Sequence, residues 1–325
     1  MNTFQIIKNS YSTKKYSRKL RVEALYLRLR KDMLRNKYLY IMALPGLIYY
    51  TIYHYWPVYG AIIAFKDFSP AAGILGSPWV GFKHFESFFN SYYFTRILKN
   101  TIILNIYSLI WAFPAPIILA LALNEIRNNA FKRVVQSVSY LPHFISIMVI
   151  SGLIIDFTSS DGIINYILGF LGVEKSNMLL NPGLFRTIYI SSSIWQEVGW
   201  GSIIYLSALT GIDQELYQAS TIDGAGRFKQ FLHVTLPGIM PTIIILLILR
   251  LGHMMNIGFE KVFLLYNPAT YETSDVISTF VYLKGILEAN FSYTTAIGLF
   301  NSIINFMLII ISNKISRKMT ETSLW

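Results

Sequence analysis

The sequence predicts an all-α, polytopic membrane protein with six transmembrane helices and both termini cytoplasmic. Three observations carry this. Of 325 residues, 54% are hydrophobic and 14% charged, whereas soluble domains carry about a quarter charged residues. The uncharged windows 38–65, 100–124, 134–155 and 289–313 each hold the roughly 20 apolar residues that cross a hydrocarbon core about 30 Å thick. Two further windows, 187–212 and 230–259, contain one charged residue each, Glu197 and Arg250. None shows the alternation of an outer-membrane barrel strand.

Orientation follows from lysine and arginine. Residues 1–37 hold eleven of them against Glu23 and Asp32. Arg127, Lys132, Arg133, Arg227, Lys229, Lys314, Arg317 and Lys318 fall on the same side of a six-span chain, giving 19 basic residues there against 8 on the other. The positive-inside rule makes that side cytoplasmic. Cytoplasmic regions then sum to +12 and external ones to −1, so the net charge of +11 is an orientation signal and carries no information about a substrate's charge. The chain divides into a basic segment 1–37, a transmembrane domain 38–313 and a cytoplasmic tail 314–325.

The basic segment is too long for a signal peptide, and no A-x-A site follows it. Val22, Leu25, Leu29 and Met33 recur at helical spacing between Leu20 and Leu34, which predicts an amphipathic helix on the anionic inner leaflet. Residues 1–17 read as a disordered basic tail. Pro45, Pro114, Pro116 and Pro142 lie within the spans as candidate kinks. The apolar runs Ile163–Leu171 and Val276–Leu283 are too short to span and are expected as surface or re-entrant helices.

The connection between the fourth and fifth spans, residues 211–241, reads as a folded element. Two short helical patterns meet at Asp223-Gly224-Ala225-Gly226, where glycine allows a positive φ or close backbone approach. The second pattern, with Phe228, Phe231 and Leu232 on one side, is expected to stop before Leu236-Pro237. A folded helix–Gly–helix loop of this length suits docking better than tethering.

Tyr217 through Gly226, followed by Phe228, Phe231 and Leu236-Pro237, resembles the EAA loop of prokaryotic binding-protein-dependent ABC importer permeases. Trp79-Val-Gly-Phe-Lys-His-Phe85, Asn100-Thr101 and Leu121-Ala-Leu-Asn124 are similar to the carbohydrate branch. Gly258-Phe-Glu260, Leu265-Tyr-Asn-Pro268, Ala296-Ile-Gly-Leu-Phe300 and Ser323-Leu-Trp325 resemble its polysaccharide and complex-oligosaccharide permeases. Gln218 and Ser220 stand where the family has glutamate and a second alanine, while Asp223 and Gly224 are intact. The resemblance implies an ABC importer permease fold, a second homologous permease, a dimer of cytoplasmic ATPase subunits, an extracytoplasmic solute-binding protein and an oligosaccharide or polysaccharide substrate. It implies contact with the ATPase through Gln218, Ala219, Ser220, Asp223, Gly224, Ala225, Phe228 and Pro237. Asp223 could instead simply pair with Arg227 at i+4.

The chain has no G-x-x-x-x-G-K-[ST] string, so ATP and Mg belong to a partner. The five histidines lack metal-ligand spacing, the chain has no cysteine, and no serine-nucleophile elbow occurs. The chain is expected to be no enzyme and to bind no cofactor, metal or nucleic acid. Charges within spans are costly and face interiors or cavities. Glu197 and Arg250 therefore form a neutralising pair, line the substrate path, or, for Arg250, reach the inner interface. Aromatic and amide groups suit saccharides, which nominates Trp195, Gln196, Glu197, Trp200, Arg250, His253 and Asn256 as the path. The ten aromatics of Phe65–Phe94, with Asn267–Asn290, would face the solute-binding protein or form an interfacial belt. A secondary transporter would need an internal repeat and a coupling-ion site. A membrane-embedded enzyme on lipid or polysaccharide would need a catalytic group such as Asp156, Asp161 or Glu174. Neither pattern is present.

Overall fold

The structure is a computed structural model describing residues 31–320. Helices make up the described chain, and among the described residues the only β-pairing is a bridge between Lys66 and Trp79. The chain divides into two compact units, Met1–Ile62 and Ile63–Trp325.

In the first unit, α1 runs continuously over residues 37–58. It holds Pro45, and a π-turn at Thr51–Tyr55 precedes Pro57. Its Tyr38, Met42 and Trp56 side chains are exposed. The interfacial helix expected over Leu20–Leu34 lies outside the described residues apart from positions 31–34, which are helical. The Ser323-Leu-Trp325 motif also lies outside them.

In the second unit, after a single helical turn at Gly73–Gly76, come a short helix, α2 (Lys83–Phe89), which buries His84 and Phe88, and then α3 (Tyr92–Glu125). Ser91 caps α3 by accepting from the Tyr93 N–H at 3.2 Å. A π-turn at Ser108–Ala112 interrupts α3 just before Pro114. The next elements are α4 (Asn129–Tyr140), α5 (Ile147–Thr158), α6 (Ile163–Gly169) and α7 (Pro182–Thr210). Beyond them lie α8 (Gln214–Ile222), α9 (Arg227–Gly252), α10 (Phe259–Leu265), α11 (Tyr271–Ser274), α12 (Ile277–Leu287) and α13 (Phe291–Thr320).

Helix α3, the run Ile147–Gly169, α9 and α13 are long and apolar enough to cross a membrane. Helix α7, at 29 residues, is also long enough, though its Arg186, Glu197, serines and glycines dilute its hydropathy. One expectation is corrected here. The window 134–155 is not one helix: Pro142 removes a backbone donor, and the chain breaks over Leu141–Phe144 between amphipathic α4 and apolar α5. The Ile163–Gly169 run is, as expected, a separate short helix, set off from α5 by a turn with extended backbone at Ser159 and Gly162.

Packing follows the small residues. Helix α7 lies against α3 and α4, and Gly199 makes the closest approach: a Cβ there would sit 2.1 Å from the Ser139 carbonyl oxygen. Such small-residue contacts are how membrane helices approach without a hydrophobic drive between them. Helix α9 lies against α13. One core joins Leu104, Ile150, Phe185, Ile190, Val262 and Val276; a second joins Phe88, Ile97, Met255, Phe280 and Ile297; a third joins Ala120, Tyr205, Leu209 and Ile239.

Candidate functional site: a loop knob and a polar cavity

The knob is built by α8 and the start of α9. Asp213 caps α8 by accepting from the Glu215 N–H at 2.9 Å. At the other end Gly224 adopts φ +75; its N–H donates to Thr221 O at 3.0 Å and the Ala225 N–H to Ser220 O at 2.9 Å. These two bonds are a Schellman C-cap, which the missing Cβ of glycine permits. Tyr217 Oη and Thr235 Oγ1 lie 3.0 Å apart, and Gln230 donates to Thr221 Oγ1 at 2.9 Å, tying α8 to α9.

The second helix does not stop at Leu236-Pro237 as expected. A π-turn at Phe231–Thr235 precedes Pro237, and the helix continues through Pro237 and Pro241 to Gly252. A widened turn moves the upstream carbonyls away from the proline ring that would otherwise clash with them. The same device precedes Pro57 and Pro114. The Asp223–Arg227 pair does not form; Arg227 Nη1 instead lies 4.0 Å from Glu125 at the end of α3, both side chains exposed. Gln218, Ala219, Asp223, Gly224, Phe228 and Pro237 are exposed, and Ser220 and Ala225 half-buried. Ile222 and Phe228 present apolar side chains that are 87% and 73% exposed.

A cavity of about 960 Å³ opens between α3, α5, α7, α9 and α10. Of the seven residues nominated for the path, Gln196, Glu197, Arg250, His253 and Asn256 line it, and Trp195 and Trp200 do not. Glu197 and Arg250 share the cavity without pairing. Glu197 Oε2 accepts from His143 Nδ1 at 2.9 Å, and the His143 ring stacks on Trp200 with centroids 4.6 Å apart. Arg250 Nη2 donates to Ser108 Oγ, the residue that opens the α3 π-turn. Arg250 is also not central in its helix, because α9 starts inside the loop and ends at Gly252. Asn256 Oδ1 accepts from Asn301 Nδ2 at 2.9 Å and from Asn305 Nδ2 at 3.3 Å.

Residues the sequence did not nominate complete the picture. Lys261, on α10, lines the cavity and donates to Ser193 at 2.9 Å. Above it lies a buried polar cluster. Arg96 donates to Asp275 at 2.7 Å, Asn100 Nδ2 to the Glu272 and Asp275 carbonyls at 2.9 and 3.0 Å, and Arg186 to Asn100 Oδ1 at 2.8 Å. Only Asn100 carried a sequence signal, in the Asn100-Thr101 pair. Among the aromatics of Phe65–Phe94, Phe88, Phe89 and Phe94 pack edge-on against Phe300, and Phe65 stacks on Trp79. Part of that aromatic density is therefore internal packing, while Trp79, Phe82 and Tyr92 are exposed. Among the described residues no three His, Cys, Asp or Glu side chains cluster as a metal site.

An apolar helical bundle with an open cavity that carries several polar side chains and a folded loop knob fits a membrane transport component. Residues 112–321 match the family described as the inner membrane component of binding-protein-dependent transport systems, and the chain belongs to that family. It is a multi-pass permease subunit of an ABC transporter and not its ATPase. It is 44% identical to the polygalacturonan/rhamnogalacturonan transport system permease protein YteP of Bacillus subtilis, over 92% of this chain and 93% of that one. It is 45% identical to Protein LplB of the same organism, over 90% and 92%. Among solved structures, a bacterial ABC transporter involved in import of the acidic polysaccharide alginate superposes with TM-score 0.84 at 44% identity, covering 90% of this chain and 99% of that one. A bacterial alginate ABC transporter in complex with an alginate pentasaccharide-bound periplasmic protein gives 0.84 at 43%, covering 91% and 100%. This membership displaces the secondary-transporter and membrane-enzyme readings.

Proposed function

We propose that this chain is one of two permease subunits forming the path of an acidic oligosaccharide through the cytoplasmic membrane, driven by a separate ATPase dimer that binds ATP and Mg. Six spans with both termini cytoplasmic place the 211–241 knob against that ATPase. They also place the outer loops toward a solute-binding protein. The division into segment 1–37, transmembrane domain 38–313 and tail 314–325 belongs to the same reading. Relatives described by polygalacturonan, rhamnogalacturonan and alginate support the substrate class.

The observation that carries the proposal is the cavity of about 960 Å³ within the bundle, large enough for a short saccharide and lined by Gln196, Glu197, Arg250, His253 and Asn256. In the knob, Gln218, Ala219, Ser220, Asp223, Gly224, Ala225, Phe228 and Pro237 form the ATPase contact, with the exposed Phe228 as its apolar anchor. The test is ATP hydrolysis in proteoliposomes holding this chain, its partner permease and the ATPase, with a binding protein loaded with trigalacturonate or with a neutral oligosaccharide. Stimulation by the acidic sugar is expected. Stimulation by the neutral one alone would overturn the substrate class, and activity from this chain alone would overturn the division of labour.

A further inference from the structure

Lys261 is 5% exposed, and among the described residues no carboxylate lies within ion-pairing distance of its ammonium. Its neighbours are the Ser193 hydroxyl at 2.9 Å and the Tyr189 ring, 5.5 Å from ammonium to centroid. A buried ammonium is costly unless an anion or several hydrogen bonds compensate it, and here one hydroxyl, one aromatic face and the more distant charge of Glu197 do so. An ammonium has three N–H donors, so the single bond to Ser193 leaves donors for a ligand in the cavity that Lys261 lines.

The other cavity groups point to the same ligand. Arg250 is held by Ser108, a neutral hydroxyl. Asn256 has its amide oxygen occupied by Asn301 and Asn305, so what it offers is its N–H₂. Of the two cavity carboxylates, Glu197 is engaged by His143. Glu260 is exposed and adjacent to Lys261 in sequence, which turns it about 100° away around α10. The N–H donors of Lys261, Arg250 and Asn256 therefore line this cavity, with Glu197 and Glu260 as its carboxylates.

We infer that Lys261, with Arg250 and Asn256, forms a site for the carboxylate of a uronic-acid residue in transit, and that Lys261 sets the preference for acidic over neutral saccharide. This rests on the proposed acidic-oligosaccharide function. Ser193 acts as a positioning residue for the ammonium. A hydrogen bond to a charged group changes an equilibrium constant by roughly ten- to a hundredfold, so losing the ammonium should cost at least tenfold in preference.

The experiment measures uptake of trigalacturonate and of its methyl ester into proteoliposomes of the complete transporter, as the ratio of the two. In K261Q the ratio is expected to fall at least tenfold, and in K261R to stay within about threefold of wild type. A ratio unmoved in K261Q, whether overall uptake is kept or reduced, overturns the inference and leaves Lys261 a strut between α7 and α10. If K261Q does not assemble, S193A is read instead. A threefold or greater change in its ratio is expected, and a ratio within twofold of wild type overturns the inference. Wild type taking up only the ester would overturn the acidic-substrate reading itself, and this site with it, so the two failures are distinguishable.

Discussion

Gly199 is the most exacting test of how the bundle packs. A Cβ at this position would lie 2.1 Å from Ser139 O, 2.3 Å from Ser139 C and 2.8 Å from Tyr140 N, all backbone atoms. Ordinary contact begins near 3.4 Å, so G199A must push α4 and α7 apart by about 1 Å, and overpacking of this kind costs about 1–3 kcal/mol. A side chain cannot rotate out of the way, because the obstacle is main chain. His143 lies in the Leu141–Phe144 turn directly after α4, and Glu197 is on α7, so the strain falls beside their 2.9 Å hydrogen bond and the His143–Trp200 stack. G152A is the control, since a Cβ there meets nothing within 4 Å and alanine in a helix gains about 0.5–1 kcal/mol over glycine. Thermal unfolding of the full chain in detergent should show G199A destabilised and G152A unchanged or stabilised. Equal midpoints for G199A and wild type would refute the close approach.

The remaining predictions concern the knob and the outer cluster. Substituting Gly224, at φ +75, with valine should cost about 1–2 kcal/mol of local strain while leaving membrane insertion intact. Co-purification of the ATPase subunits should then fall, and normal co-purification with normal uptake would remove Gly224 from the contact. R96A leaves the buried Asp275 carboxylate without its 2.7 Å partner and should destabilise the fold by about 3–5 kcal/mol. The double variant R96A/D275N should recover part of that loss in the same thermal assay; no recovery would mean the ion pair is not the source. F228A removes an exposed side chain and should leave thermal stability unchanged while weakening ATPase stimulation. A fall in stability would show that Phe228 packs within the chain.

The fold class was readable because about twenty apolar residues in a row have few other uses, and the Asp223-Gly224 turn because glycine alone enters its backbone region without strain. The long-range polar contacts were not readable. Glu197 meets His143 from 54 positions away and Arg96 meets Asp275 from 179 away, and no spacing rule connects such residues. Proline misled twice in opposite directions. Pro142 broke an apolar window that looked continuous, and Pro237 sat inside a helix that looked finished, because a π-turn absorbed it. Lys261 escaped notice because the Glu260-Lys261 pair that closes an apolar window normally marks a span's end, and here the chain folds the lysine back against Ser193 of α7.

The continuity of α9 makes the knob and the cavity two ends of one rod. Arg227 and Arg250 stand about 35 Å apart along it at 1.5 Å per residue. If the rod pivots near one end, a swing of about 5° carries the other through about 3 Å, as much as a hydrogen bond is long. A small tilt at the knob would then be enough to draw the Arg250 guanidinium off Ser108 and free it inside the cavity. The π-turn at Phe231–Thr235 lies next to the knob end, where bending would absorb such a tilt and stiffness would deliver it.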